Sequence, residues 1–117
     1  MEPKENQQLR ALLDNILAAM SEYMEEEGVK YKKRHIRKCS QIVKLFLEEI
    51  SATRDRPDGL LVVQDTIEQL NLLNQSCRTP LIETMEREDL CEIINTACVM
   101  KGYSAEKEDV TEVWREW

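Results

Sequence analysis

The stretch "VKYKKRHIRKCSQIVKLFLEEI" (Val29–Ile50) runs from a dense group of cations into an apolar repeat. Ile36, Cys39, Val43, Phe46 and Ile50 recur at steps of three and four, and Ile42 and Leu47 widen the same stripe. That spacing belongs to an amphipathic helix and not to the alternation of a strand. At about 100° per residue, Lys33, Arg34, Arg37, Lys38 and Lys44 fall on the opposite arc. His35, the one histidine of the chain, sits on the border of the apolar side, near Ile42 and Phe46. The helix is expected to fade at Thr53.

Working outward, the same period appears on both sides. From about Lys4 or Asn6 to Glu26, the residues Leu9, Leu12, Leu13, Ile16, Leu17, Met20, Tyr23 and Met24 make one stripe, with Gly28 as the stop. Glu25, Glu26 and Glu27 oppose the helix dipole at that end, which predicts fraying. "RDRPDG" (Arg54–Gly59) reads as a turn because Pro57 and Gly59 interrupt helical geometry. Beyond it, "LLVVQDTIEQLNLLNQSC" continues at helical spacing through Val63, Ile67, Leu70, Leu73 or Asn74, and Cys77; a lone four-residue strand from "LLVV" has no partner. Thr79 and Pro80 suit an N-cap and first helical position. A fourth helix carries Leu90, Ile93, Ile94, Ala97 and Cys98 on one face and ends at Gly102. "SAEKEDVTEVWREW" is read as a last short helical turn, with Val110, Val113, Trp114 and Trp117 available to dock. The fold class predicted is all-α: a compact antiparallel bundle of four main helices with a short C-terminal helical tail, one domain over residues 1–117.

Composition agrees with that reading and excludes several others. The 117 residues are 42% apolar and 33% charged, with net charge -7. Three glycines and three prolines supply too few reversals for a small all-β domain. No apolar run approaches about 18 residues, so no membrane span is predicted. "MEPKENQQLR" lacks the apolar core of a secretory signal, and a cytoplasmic location is expected. In a reducing compartment Cys39, Cys77, Cys91 and Cys98 stay thiols, and they read as ordinary buried ones. Cys91 and Cys98 lie about 10 Å apart along a helix axis, too far for a disulfide. A zinc site would need ligands gathered from three segments, so neither metal nor cofactor is expected.

"GLLVVQDTIEQLNLLNQ" and "LIETMEREDLCEIINTACVMKGYSAEKEDVTEVWREW" together resemble a family of small, acidic, helical bacterial proteins of unknown function. The marks are Ile82, Glu83, Thr84, Tyr103, Asp109 and Trp117, and the similarity runs from about Tyr23 onward. The tail departs from that family's usual ending by reading "TEVWREW". The resemblance implies the helical fold and brings no chemistry with it.

Arg34, Arg37 and Lys38, with Lys30, Lys32 and Lys33 beside them, form the one strongly basic patch. Nucleic acid would be attracted to it, but 23 acids against 16 bases give a whole-chain field of the wrong sign. A wet helix face is the favoured reading, with a docking face for an acidic protein or a second copy behind it. His35 and Cys39 share a side one turn apart, yet a thiol on an apolar stripe is expected to be buried and unreactive. The pairs Glu88/Glu92 and Glu22/Glu26 find no E-x-x-H partner for a di-iron site. Asp65, Glu68 and Gln69 read as solvent-facing; Asn71 and Asn74 border a leucine-rich stripe and either pair across helices or face water, the second being the favoured reading. Trp114 and Trp117 are too large and apolar to hang free: they cap the open end of the bundle or anchor a partner.

No catalytic constellation emerges, and the chain reads as non-enzymatic. The function expected is a protein-interaction or adaptor role. The alternatives are an immunity-type inhibitor of a basic nuclease, acting through the acidic half from Glu83 to Glu116, and a nucleic-acid-associated regulator using the second helix. The partner contacts proposed from sequence are Trp114, Trp117, Arg34, Arg37 and Lys38.

Overall fold

In the computed structural model, which describes residues 1–117, the chain folds into four helices and no strands: α1 (Gln7–Met24), α2 (Lys33–Ala52), α3 (Arg56–Ser76) and α4 (Thr84–Met100). Every member of the α2 stripe is buried, from Ile36 through Cys39, Ile42, Val43, Phe46 and Leu47 to Ile50. This helix packs against α3, α1 and, less extensively, α4, while α1 packs on α4. Its apolar face is therefore the centre of one contiguous core. Fully burying each such aliphatic or aromatic side chain contributes about 1.5–3 kcal/mol, so the stripe is a large part of the fold's stabilisation.

The helix ends agree with the sequence reading at Asn6, one of the two starts expected for α1, and correct it at the end of α1 and the starts of α3 and α4. A short 3-10 turn, Pro3–Glu5, precedes α1, whose true cap is Asn6: its side chain accepts from the Leu9 amide at 3.1 Å. The helix stops at Met24, and the frayed glutamates lead to Gly28 at φ +89°. The "RDRPDG" segment is not a turn outside the helix but its first turn. Asp55 caps α3 by accepting from Asp58 N–H at 2.9 Å, and Pro57 lies in that turn, where its missing N–H costs nothing. Gly59 belongs to the helix as well: a Cβ there would collide with the Tyr103 ring, so the bare backbone is what admits that ring.

Thr79 and Pro80 do not begin α4. The N-cap is Glu83, whose own amide donates to Glu86 Oε1 at 3.2 Å. Asn74 explains the four-residue delay, because its Oδ1 accepts from both Leu81 N–H and Ile82 N–H at 3.0 and 2.9 Å and holds the connection off α4. At the far end, the helix terminates at Gly102 as expected: at φ +77° it donates its N–H to Val99 O, and Tyr103 N–H donates to Cys98 O, a Schellman motif.

From Tyr103 onward the chain turns back along the bundle, lying against both α3 and α4. The two helices approach one another directly only a little, and the tail makes up the difference. It contains one isolated helical turn, with Arg115 N–H donating to Thr111 O at 3.1 Å, and no propagated helix. Val110 is buried, but Val113, expected to dock, points to solvent and is 81% exposed. No helix is long and apolar enough to cross a membrane.

Candidate functional site: two charged clefts at one end of the bundle

The residues singled out from sequence separate once folded. Trp114 and Trp117 lie half-buried against the core, on the side of the bundle where the tail meets α3 and α4. Arg115 stacks over the Trp117 ring at 5.5 Å and donates to the Trp117 carbonyl at 2.9 Å. Of the two readings of Asn71 and Asn74, the less favoured one holds: both are polar anchors, Asn71 of the tail and Asn74 of the α3–α4 connection. Asn71 is buried, donates to Trp114 O at 2.8 Å and accepts from Glu116 N–H at 3.1 Å. Nothing in the local pattern distinguished these asparagines from surface ones. Their position at the border of a leucine stripe was the only signal.

Asp109 is the second anchor. Its Oδ1 accepts from Thr111 N–H, the Thr111 hydroxyl and Asn95 Nδ2 at 2.9, 2.6 and 3.1 Å, and Arg115 lies 3.7 Å from Oδ2. Partial burial pushes its carboxyl up, but the Thr111 and Asn95 hydrogen bonds and the Arg115 charge outweigh burial and hold it below its usual range.

The thiols are free, and only Cys39 and Cys98 are buried; Cys77 and Cys91 are half-exposed. Burial pushes Cys39 up to about 12, which makes it a core thiol and not a nucleophile activated by His35. His35 is engaged differently from either reading made above. Its Nδ1 accepts from Lys32 N–H at 2.8 Å and so satisfies an amide at the start of α2. Burial, then the Arg34 and Lys32 charges, hold the imidazole below its ordinary pKa.

Two separate clefts of opposite charge are formed by the residues where α1 ends, α2 begins, α3 ends and α4 begins. The first is a hollow of about 330 Å³ lined by Lys30, Lys32, Arg34, His35, Ser76 and Arg78. It draws two cations from the α1–α2 connection, one from the first turn of α2 and one from the α3–α4 connection. Thr79 ties the two connections together: its hydroxyl accepts from Lys30 N–H at 2.9 Å and reaches Gly28 O at 3.4 Å. Arg34 joins this cleft, whereas Arg37 and Lys38 remain exposed on α2 outside its lining. Arg78 and Ser76 were invisible to sequence reasoning because they are more than 40 residues away in the chain.

The second hollow, of about 310 Å³, lies between the last turns of α1 and the first turn of α4. Glu22, Glu26, Glu83 and Glu86 line it, with Tyr23 and Met85 among them. Tyr23 was assigned to the α1 stripe, but it is 37% exposed and Met85 59%. Tyr23 instead leans on the buried Tyr31, ring centroids 6.4 Å apart. Tyr31 donates to Met20 O at 2.9 Å, and burial, followed by the charges of Glu86 and other neighbours, raises its phenol to about 12. None of the four ion pairs in the structure involves a residue of either cleft.

The chain matches no protein-family model, and no curated protein or solved structure matches it either.

Proposed function

We propose that this chain is a non-catalytic protein-interaction module that receives a basic segment of its partner in the α1/α4 cleft. The observation that carries the reading is the exposure of Tyr23 and Met85 within a ring of four glutamates that take part in no ion pair. Tyrosine and methionine are residue types enriched where proteins meet. Unopposed carboxylates around them supply charge complementarity, and a net charge of -7 adds long-range attraction for a basic partner.

Inhibition of a basic nuclease is the narrower form of this reading, because Glu83 and Glu86 open the acidic half of the chain. Binding of nucleic acid through Arg34, Arg37 and Lys38 has less support: the basic cleft holds no tryptophan, tyrosine or phenylalanine for a base to stack on, and the whole-chain charge of -7 repels a polyanion.

The test is capture from cell extract at low ionic strength with the wild-type chain and with a Glu22→Lys, Glu26→Lys, Met85→Ala variant. A protein partner retained by the wild type and lost by the variant is the expected result. Retention by both, or by neither, refutes this docking site.

A further inference from the structure

The basic cleft has a feature that a wet helix face does not need. Its lining contains four cations and no carboxylate or apolar residue, although acids outnumber bases in the chain by 23 to 16. Lys30, Lys32, Arg34 and Arg78 make no side-chain hydrogen bond and no ion pair within the protein. The first turn of α2 has no acidic residue to balance them. Cations at that end of a helix oppose its dipole and are unfavourable there. Repulsion between neighbouring cations adds to that cost. The fold nevertheless brings these residues around one concavity, with the backbone amides of Lys30 and Lys32 fixed by Thr79 and His35.

We propose that this cleft is a binding site for the phosphate group of a small phosphate-bearing anion. The lining selects that class. Two guanidinium forks offer paired N–H donors that match phosphate oxygens, and two ammonium groups add charge without demanding a direction. Neutral His35, whose Nδ1 is already accepting, carries its proton on Nε2 and presents a further donor. Ser76 spends its hydroxyl proton on Leu73 O at 2.7 Å and is not a donor to the ligand. Four positive charges match a group carrying two or more negative ones better than a single carboxylate. The absence of an apolar wall argues against a ligand recognised mainly by its organic portion. A volume of about 330 Å³ suits a phosphate or diphosphate group with a small attachment, not a folded macromolecule.

Inorganic pyrophosphate is the probe, added to the intact chain at constant ionic strength and followed by amide NMR shifts and calorimetry. Saturable binding is expected, with shifts confined to Lys30–Ile36 and Ser76–Thr79. Arg34→Gln and Arg78→Gln should each weaken it about tenfold or more, as loss of a charge-assisted contact does. Arg37→Gln, outside the lining, should leave affinity within about twofold. The exposed Arg34 and Arg78 side chains make no hydrogen bond, so both variants should fold, and melting curves will verify that.

Weak, unsaturable shifts matched by chloride would overturn the site, as would full binding by both cleft variants. Binding of a single-stranded oligonucleotide that depends on Arg37 and Lys38 and is not displaced by pyrophosphate would also overturn it, in favour of a nucleic-acid surface along α2.

Discussion

The tail from Asp109 to Trp117 and the cleft around Lys32 are both rich in polar groups, yet they handle charge in opposite ways. In the tail, Asp109 has Thr111, Asn95 and Arg115; Glu116 has Gln75 at 2.7 Å; and the backbone of Trp114 and Glu116 is held by Asn71. In the cleft, four cations have no partner. Polar groups satisfied inside the protein stabilise the fold, because removing one member strands the other. Groups held together without partners are a standing cost that an incoming ion relieves. The comparison separates structural polarity from polarity available for binding, and each of its halves can be broken.

The largest effect should come from the tail. Deleting Val113–Trp117 exposes the core surface under two tryptophans and leaves the buried Asn71 amide without its backbone partners. Lost apolar burial and lost hydrogen bonds together predict a destabilisation of about 3 kcal/mol, or about 10 °C in Tm for a chain of this size. Thermal melts measure this directly. Sedimentation of the same pair gives the competing reading its chance: an unchanged Tm with weakened self-association would make the tail an interface and not part of the fold.

How much of this contrast was legible from residues alone follows from the range of the interactions. The stripe from Ile36 to Ile50 announced α2, since helical periodicity is a local property and burial follows from it. Glu25–Glu27 announced the frayed end of α1 for the same reason. Pro57 misled because one residue type both ends helices and begins them, and the cap that decides between the two is Asp55. Thr79 misled similarly: its hydroxyl holds Lys30, far away in sequence, and not the start of α4. Asn71 and Arg78 act across the fold and Asn74 across the α3–α4 connection, so beyond the asparagines' place at the border of a leucine stripe their roles had no local signature. Half of the basic cleft, Lys30 to Arg34, was visible as a charge run, and only folding supplied the opposite wall.

A smaller effect of opposite sign should come from the cleft. Lys32 occupies the N-cap of α2 with extended backbone angles, φ -122° and ψ 169°, that suit an aspartate cap. Lys32→Asp would supply the missing acceptor, place an anion at the positive end of the dipole and reduce the repulsion around it. Stabilisation of about 1 kcal/mol is expected, a rise of about 4 °C in Tm. Pyrophosphate affinity should fall together with that gain, because the residue that relieves the strain also removes a ligand. An unchanged or lowered Tm would mean that the cluster carries no uncompensated charge, and the distinction from the tail would fail.

The smallest effect concerns pH, and it sets one titrating group from each region side by side. Both His35 and Asp109 are held below their ordinary pKa, so in each case the native state binds fewer protons than the unfolded chain across the interval. Stability therefore falls with falling pH in both windows, but the windows differ. His35 should act first, from about pH 6.5 downward, when protonation of Nδ1 would break its bond from Lys32 N–H and add a fifth positive charge to the cleft. Asp109 should act only from about pH 4 downward, as its carboxylate loses the Thr111 and Asn95 bonds. Urea melts between pH 7.5 and 5 on the wild type and His35→Gln isolate the first step. The wild type should lose slightly more stability over that range than the variant. Pyrophosphate at saturation should shrink the difference, because the bound anion offsets the added proton. Identical slopes in the two proteins would show that His35 caps α2 without being coupled to the charge of the cleft.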